Sequence, residues 1–355
     1  MKNTNKHFFT QTLLLWNRDI NQRQMPWKGE KDPYKIWLSE IILQQTRVEQ
    51  GWEYYLRFVK KFPDIKQLAT AKDDDVLKLW EGLGYYSRCR NLLATARYIH
   101  GFLGGKFPDS YSDIQQLKGV GPYTASAIAS FAFNLPHAVI DGNVNRVLAR
   151  FFGIATAIDS TEGKKQFSLL AQELLDKREP GLYNQAIMDF GATICKPQLP
   201  LCPDCVLNKY CTAYHTGTVG VLPVKEKKII KKDRWFYYIV LEKNGNYFVR
   251  KRQGKDIWHS LYEFILLEWP GKTDAAALLQ TTAFKNIVSS TVKLKDLSGE
   301  YKQQLTHQTI RAVFMETKLV AGKPPEGYEP VAQGMLKTKA FPRLLNHFLE
   351  NKGWK

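Results

Sequence analysis

Cys195, Cys202, Cys205 and Cys211 stand as C-x6-C-x2-C-x5-C in one segment that also carries Pro197, Pro200 and Pro203. Four soft thiolate ligands this close in sequence imply a metal centre. A zinc site of four cysteines usually presents two C-x2-C pairs and this run has one, so the spacing favours a [4Fe–4S] cluster over zinc. No open ligand is evident, which points to a structural or DNA-positioning role. Lys196 and Lys209 flank the run, as suits a loop lying against phosphates. Cys89 stands apart and reads as a packing residue; with the other four in one stretch, disulfides are not expected.

Two carboxylates sit in surroundings that would separate their acidities. Glu40 lies three residues after Trp37 and four after Ile36, on a helical stripe of bulky apolar side chains that would strip it of water and raise its pKa. A carboxyl that keeps its proton near neutrality is a general acid, although a helical Glu without such neighbours is an ordinary surface residue. Asp141 follows Ala138-Val139-Ile140 and precedes a helix expected from Asn143. Its ordinary role there is to cap that helix, which does not exclude chemistry. Upstream, Leu117-Lys118-Gly119-Val120-Gly121-Pro122-Tyr123-Thr124 sets two glycines between helical segments. Backbone amides of Gly119, Val120 and Gly121 at such a turn can grip a phosphate without reading sequence. A lone G-x-G is usually an ordinary turn; the cysteine run downstream makes this one specific.

Positioning these groups requires ordered elements. From residue 8 to about 215 apolar residues recur at spacings of three and four, so this half is read as all-α. Asp32-Pro33 opens one helix, Asp109-Ser110 and Asp113 precede another, and helical spacing resumes over 123–133. Between 216 and 234, Lys225-Glu226-Lys227-Lys228 and Lys231-Lys232-Asp233-Arg234 leave too little apolar content to pack, so the segment is read as a basic linker. Residues 235–242 are aromatic and β-branched, Asn244-Gly245 is a hairpin turn, and 247–252 return as the partner strand. Further strands are expected near 262–267 and 310–314, with helices near 275–279 and 342–349, giving an α/β or α+β second domain.

The 355 residues, 44% of them hydrophobic, can bury two such cores, and no apolar run approaches the ~18 needed to cross a bilayer. The segment before Asn17 lacks the apolar core of a signal peptide, so a cytoplasmic protein with no membrane partner is expected. A formal charge of +17 points to a polyanionic partner, and 13% aromatic residues suit stacking on bases.

Pro26-Trp27, Asp32-Pro33-Tyr34, Ser39-Glu40-Ile41-Ile42-Leu43-Gln44-Gln45-Thr46, Gly82-Leu83-Gly84-Tyr85-Tyr86-Ser87-Arg88, the glycine turn, Asp141-Gly142-Asn143-Val144 and the cysteine run carry a resemblance over nearly the whole length. The chain resembles the helix-hairpin-helix iron–sulfur DNA glycosylases and, within them, the adenine DNA glycosylases of the MutY group. The resemblance implies a catalytic region over 1–215, with a six-helix module carrying the hairpin over about 28–135 and an iron–sulfur module from 1–27 plus 136–215. The linker over 216–234 and a Nudix-like lesion-recognition domain over 235–355 follow.

It also implies a monomeric, monofunctional enzyme, nucleoid-associated in a prokaryote, that begins base excision repair on double-stranded DNA. Its substrate would be adenine mispaired with 8-oxoguanine or guanine, flipped from the stack. Glu40 would protonate adenine N7 and later serve as base toward water, Asp141 would stabilise the sugar cation, and Tyr123 and Asn143 would orient them. Endonuclease III carries a Schiff-base lysine where Tyr123 stands; Lys118 does not match that place, so little or no lyase activity is expected.

Leu43, Gln44, Gln45, Thr46 and Tyr85 would meet the duplex, the apolar and planar side chains wedging beside the lesion and the amides reading base edges. Trp258-His259-Ser260-Leu261-Tyr262-Glu263-Phe264 resembles the Nudix-like core strand, with no acidic hydrolase box after it. Leu305-Thr306-His307 stands where the family senses the lesion with Phe-Ser-His, so Thr306 and His307 are assigned to DNA. The rival readings are an endonuclease III-like glycosylase/lyase for oxidised pyrimidines and a noncatalytic DNA-damage binder.

Overall fold

A computed structural model describes residues 3–226, 230–254 and 256–355. The chain divides into two compact units: Met1–Thr70 with Asn91–Lys227, and Ala71–Arg90 with Lys228–Lys355.

The helices run in chain order as α1 (Asn3–Asp19), α2 (Pro33–Leu43), α3 (Val48–Lys61), α4 (Ile65–Thr70), α5 (Asp73–Leu79), α6 (Tyr86–Phe102), α7 (Tyr111–Gln116), α8 (Pro122–Phe133), α9 (Gly142–Phe152), α10 (Thr161–Leu174), α11 (Pro180–Thr193) and α12 (Thr212–His215). Several starts are dictated locally. Asp32 Oδ1 accepts the Tyr34 amide at 2.9 Å with Pro33 in the first turn of α2. Asp141 Oδ1 accepts the Val144 amide at 2.7 Å and caps α9. These are the side-chain caps that orphaned helix amides require.

The first unit is all-helical. Phe9 and Trp16 of α1 reach Phe151 of α9 and Phe190 of α11, with ring centroids 4.8 and 5.0 Å apart. Helix α2 is buried nearly all round, from Tyr34 and Ile36 through Ile42, so it runs through the interior rather than along the surface.

The second unit is built on a sheet of β1 (Lys232–Lys243), β2 (Asn246–Lys251), β3 (Tyr262–Glu263), β4 (Ile265–Trp269), β5 (Thr291–Leu297), β6 (Tyr301–Gln304), β7 (Gln308–Ala321) and β8 (Glu329–Ala332). Its helices are α13 (Ala275–Leu278), α14 (Thr282–Ile287) and α15 (Arg343–Asn351). The strand order is β3-β2-β1-β7-β5, with β4 also on β1, β6 on β7 and β8 on β2. Strands β1 and β7 pair in parallel from Lys232↔Gln308 to Glu242↔Lys318, and residues 236–241 of β1 are all buried, as a central strand covered on both faces must be. Asn244 and Gly245 both take positive φ, 53° and 78°, the geometry that a tight two-residue hairpin demands.

The architecture is therefore the expected all-α domain followed by a strand-bearing Nudix-like one. Two boundaries differ from the pattern reading. Much of the segment read as linker packs on the first unit: Leu222 is buried, its carbonyl accepts Arg150 Nε at 3.0 Å, and Asp159 Oδ1 accepts the Glu226 amide at 3.0 Å. Val219, Leu222 and Val224 supply the apolar contacts that the lysines obscure, and residues 232–234 already belong to β1. Lys227 and Lys228 of the linker lie outside the described residues.

The second difference is Ala71–Arg90, helical in pattern, which packs with the strand-bearing unit. Asp74 pairs with Lys251 at 2.6 Å, Glu81 with Lys355 at 2.7 Å, and Glu81 also accepts the Phe341 amide at 3.0 Å. Among the described residues no helix is long and apolar enough to cross a membrane.

Phe314 of β7 stacks on Phe348 of α15 at 4.0 Å and on Tyr238 of β1 at 5.2 Å, joining sheet to helix. Phe314→Ala is expected to destabilise the second unit by about 3–5 kcal/mol, visible as an earlier transition in urea unfolding. A change below about 1 kcal/mol would show that this stack does not hold the layer.

Candidate active site

Glu40 lies in the last turns of α2, where the helix's apolar surroundings leave it 6% exposed. Burial pushes its carboxyl up to about 7; a hydrogen bond from the Tyr123 hydroxyl opposes that rise, and the nearby charge of Asp141 adds to it. Tyr123, in the first turn of α8, is itself held well above the ordinary tyrosine range by burial and by both carboxylates. Asp141 is raised as well, again by burial first, but four contributions support its anion. These are the Val144 amide, the Asn143 side chain, which donates Nδ2 to Oδ2 at 2.9 Å, the Asn143 amide and the charge of Arg146. Burial raises both carboxyls; one hydrogen bond opposes it at Glu40, whereas several donors and a cation oppose it at Asp141.

Both open into one cavity of about 400 Å³ inside the first unit, with Tyr123, Asn143, Trp27 and Gln185 on its walls. That is the size range of a small-ligand pocket. Arg146 ties the anionic side of the site to its surroundings. It donates to Asn143 Oδ1 at 2.8 Å, to the Gly191 carbonyl at 2.7 Å and to the Cys195 carbonyl at 2.8 Å. Gly191 is required there, because a Cβ would stand 2.7 Å from Cβ of Asn143.

The four cysteines of the run line a second, smaller cavity together with Arg150, and none is in a disulfide. Arg150 Nη1 reaches Cys195 Sγ at 3.5 Å and the Lys196 carbonyl at 2.7 Å, a cation placed against sulfur. Four thiols converging on one cavity beside a guanidinium fit an anionic thiolate-held group.

The residues assigned to DNA fall into three places. Leu43, expected as a wedge, is half-buried and lines the cavity, and any Cβ on Gly51 would lie 2.8 Å from its Cδ2. After it, Gln44 donates to Thr124 Oγ1 at 3.2 Å, Gln45 is exposed with φ 55°, and the Thr46 amide closes back on the Leu43 carbonyl at 3.1 Å. In the turn between α7 and α8, Gly119 has φ 83° and lies against Asn91, which a Cβ would meet at 2.7 Å. Val120 differs from expectation: its side chain is buried and its amide donates to the Leu117 carbonyl at 3.0 Å, so it shapes the turn rather than offering a free donor. In the second unit Tyr85, at φ 46° and 44% exposed, is hydrogen-bonded through its hydroxyl to Thr306, beside the exposed His307.

Residues 38–175 match the profile of the HhH-GPD superfamily base excision DNA repair proteins, and residues 236–351 match that of the NUDIX domain. The adenine DNA glycosylase of Buchnera aphidicola subsp. Baizongia pistaciae is 36% identical over 304 residues, covering 85% of this chain and 84% of the relative. The chain belongs to the adenine DNA glycosylase family. The mouse adenine DNA glycosylase is 43% identical over 227 residues, 61% of this chain and 44% of the relative. A thermostable thymine-DNA glycosylase superimposes with a TM-score of 0.56 at 29% identity, covering 60% of this chain and 98% of that one. Endonuclease III from a non-covalent DNA complex superimposes at 0.53 with 18% identity, over 61% of this chain and 98% of its own, and shows the shared fold.

For an adenine DNA glycosylase the sequence reading left part of the cavity wall unassigned. Arg23, Lys28 and Gln185 line it, and behind them lies the buried Asp189. Only Trp27 had a signal, as part of the Pro26-Trp27 pair. Lys118, the lysine nearest the family's lyase position, is exposed and is not among the residues lining the cavity.

As general acid Glu40 would need its proton, and as cation stabiliser Asp141 would need its charge. The single-turnover rate should therefore hold up to about pH 7 and fall about tenfold per pH unit above it, and a profile flat from pH 6 to 9 would remove Glu40 as the acid. The folded state also binds a proton that the unfolded chain, at the ordinary 4.5, does not. Stability accordingly falls as pH rises from 4.5 to about 7, by about 3 kcal/mol in all. Glu40→Gln should melt above the wild type at pH 8 while losing excision.

Proposed function

We propose that this adenine DNA glycosylase is monofunctional and excises adenine mispaired with 8-oxoguanine or guanine, as the first step of base excision repair. The observation that carries the chemistry is the placement of Glu40, Tyr123 and Asp141 in one cavity, with Glu40 keeping its proton to about pH 7. A purine in a duplex is out of reach of an enclosed cavity, so the adenine enters it flipped.

Glu40 gives its proton to adenine N7, the C1′–N9 bond breaks with its electron pair passing to the base, and the sugar becomes an oxocarbenium ion. Asp141, held anionic by Val144 and Asn143, stabilises that cation. Water then adds to C1′ and the Glu40 carboxylate takes up its proton. Tyr123 holds Glu40 in place and, having no amine, forms no Schiff base, which supports base removal without strand cleavage. The turn around Gly119 and Gly121 grips phosphate, the stretch Gln44–Thr46 faces the duplex, and Thr306 and His307, with Tyr85, sense the lesion opposite the adenine. The enzyme acts as a monomer, and an iron–sulfur module formed by the two ends of the first unit frames the six-helix module.

Cys195, Cys202, Cys205 and Cys211 would hold one [4Fe–4S] cluster. The four line one cavity, and their single C-x2-C pair supports a cluster over one tetrahedral zinc. When bound, such a cluster cross-links four points of the loop. Purified protein is expected to carry about four irons per chain with a broad visible absorbance; one zinc and no iron would overturn the assignment.

The activity is tested by single-turnover cleavage of duplexes carrying adenine opposite 8-oxoguanine, adenine opposite guanine, or thymine glycol opposite adenine. Breaks at adenine that appear only after alkali are expected. Breaks at thymine glycol without alkali, with adenine left intact, would place the chemistry with the glycosylase/lyases, and tight binding of the lesion duplex without any excision would leave only a damage binder.

A further inference from the structure

We infer that Asp189 is a positioning residue that sets which end of the Gln185 amide faces the catalytic cavity, and thereby favours a 6-aminopurine over a 6-oxopurine. The inference rests on the excision reading above.

Asp189 lies on α11 with its side chain fully buried. Its partners are all donors. Oδ1 accepts Arg23 Nη1 at 2.8 Å and Gln185 Nε2 at 3.0 Å; Oδ2 accepts Asn21 Nδ2 at 2.9 Å and Lys28 Nζ at 3.0 Å. Arg23, Lys28 and Gln185 all line the cavity that holds Glu40 and Asp141, so one buried carboxylate organises a whole polar wall from behind. Asn21 also bonds Asn17 Oδ1 at 2.7 Å, and Lys28 bonds the Arg23 carbonyl at 2.8 Å, which closes the network.

The consequence for Gln185 follows from its donor and acceptor inventory. A carboxylate paired with two cations accepts and does not donate, so the amide must turn its NH₂ toward Asp189. Its Oε1 is then the end left for the cavity. Arg23 and Lys28 point donors back at the carboxylate, which draws them away from the base and leaves that oxygen to decide. An exocyclic amine at purine C6 donates to it, whereas a C6 carbonyl sets oxygen against oxygen. A site built for one hydrogen-bond pattern rejects the opposite pattern strongly, because the mismatched groups are left buried and unpaired.

An Asn at 189 can donate as well as accept, which frees the Gln185 amide to turn over. The experiment compares single-turnover excision of adenine and of hypoxanthine, each opposite 8-oxoguanine, by wild type, Asp189→Asn, Gln185→Met and the double variant, with melting temperatures alongside. The expected result is that Asp189→Asn lowers the adenine-to-hypoxanthine rate ratio 10–100-fold. Gln185→Met should collapse the same ratio, and the double variant should be no worse than Gln185→Met, since Asp189 acts through that amide. A loss of rate on both bases with the ratio kept would show a merely structural role and overturn the inference. If Asp189→Asn fails to fold, Gln185→Met decides: an unchanged ratio overturns it. A wild type that removes hypoxanthine and leaves adenine would instead sink the excision reading itself.

Discussion

The loss of water around one carboxyl is the constraint on which this molecule turns. Glu40 holds its proton to a higher pH than an exposed glutamate because α2 is buried nearly all round, with α3 and α8 packed against it. The long helical half of the chain is in this sense the apparatus that makes one proton available near neutrality. Burial of that kind works against folding, which is why the hydrogen bond from Tyr123 matters: it limits the penalty without removing the proton.

The second carboxyl solves the opposite problem. Asp141 sits at a helix start, where amides and an adjacent Asn favour charge, so the burial that raises both acids is opposed by more groups here than at Glu40. Arg146 then connects Asn143, beside Asp141, to the backbone at Cys195, so one guanidinium joins the cysteine loop to this side of the site. Two regions far apart in sequence share a single rigid joint.

What was legible in the sequence is what local rules govern. The caps Asp32 and Asp141, the turn at Asn244-Gly245 and the apolar stripe around Glu40 each follow from a handful of neighbouring residues, and the cysteine run declares itself by spacing. What was not legible depends on distant partners. Asp189 meets Asn21, Arg23 and Lys28 across 161–168 residues, with no local pattern to mark any of them. The short, Pro330-bearing β8 lacks the alternation that identifies a half-buried strand, whereas β5 carries it at Val292, Lys293 and Leu294 and was readable. The segment before residue 227 looked like free linker because its lysines outnumber the three apolar side chains that dock it.

The grouping of Ala71–Arg90 with the C-terminal half bears on how the protein can be taken apart. In sequence this segment lies inside the stretch that matches the HhH-GPD profile, yet its acids are neutralised by Lys251 and Lys355, and Tyr85 is anchored on Thr306. A truncation after the last cysteine would therefore not release a finished module. It would leave an acidic helix and a bent aromatic loop stripped of their counter-charges, because the break in sequence is not the boundary of the compact unit.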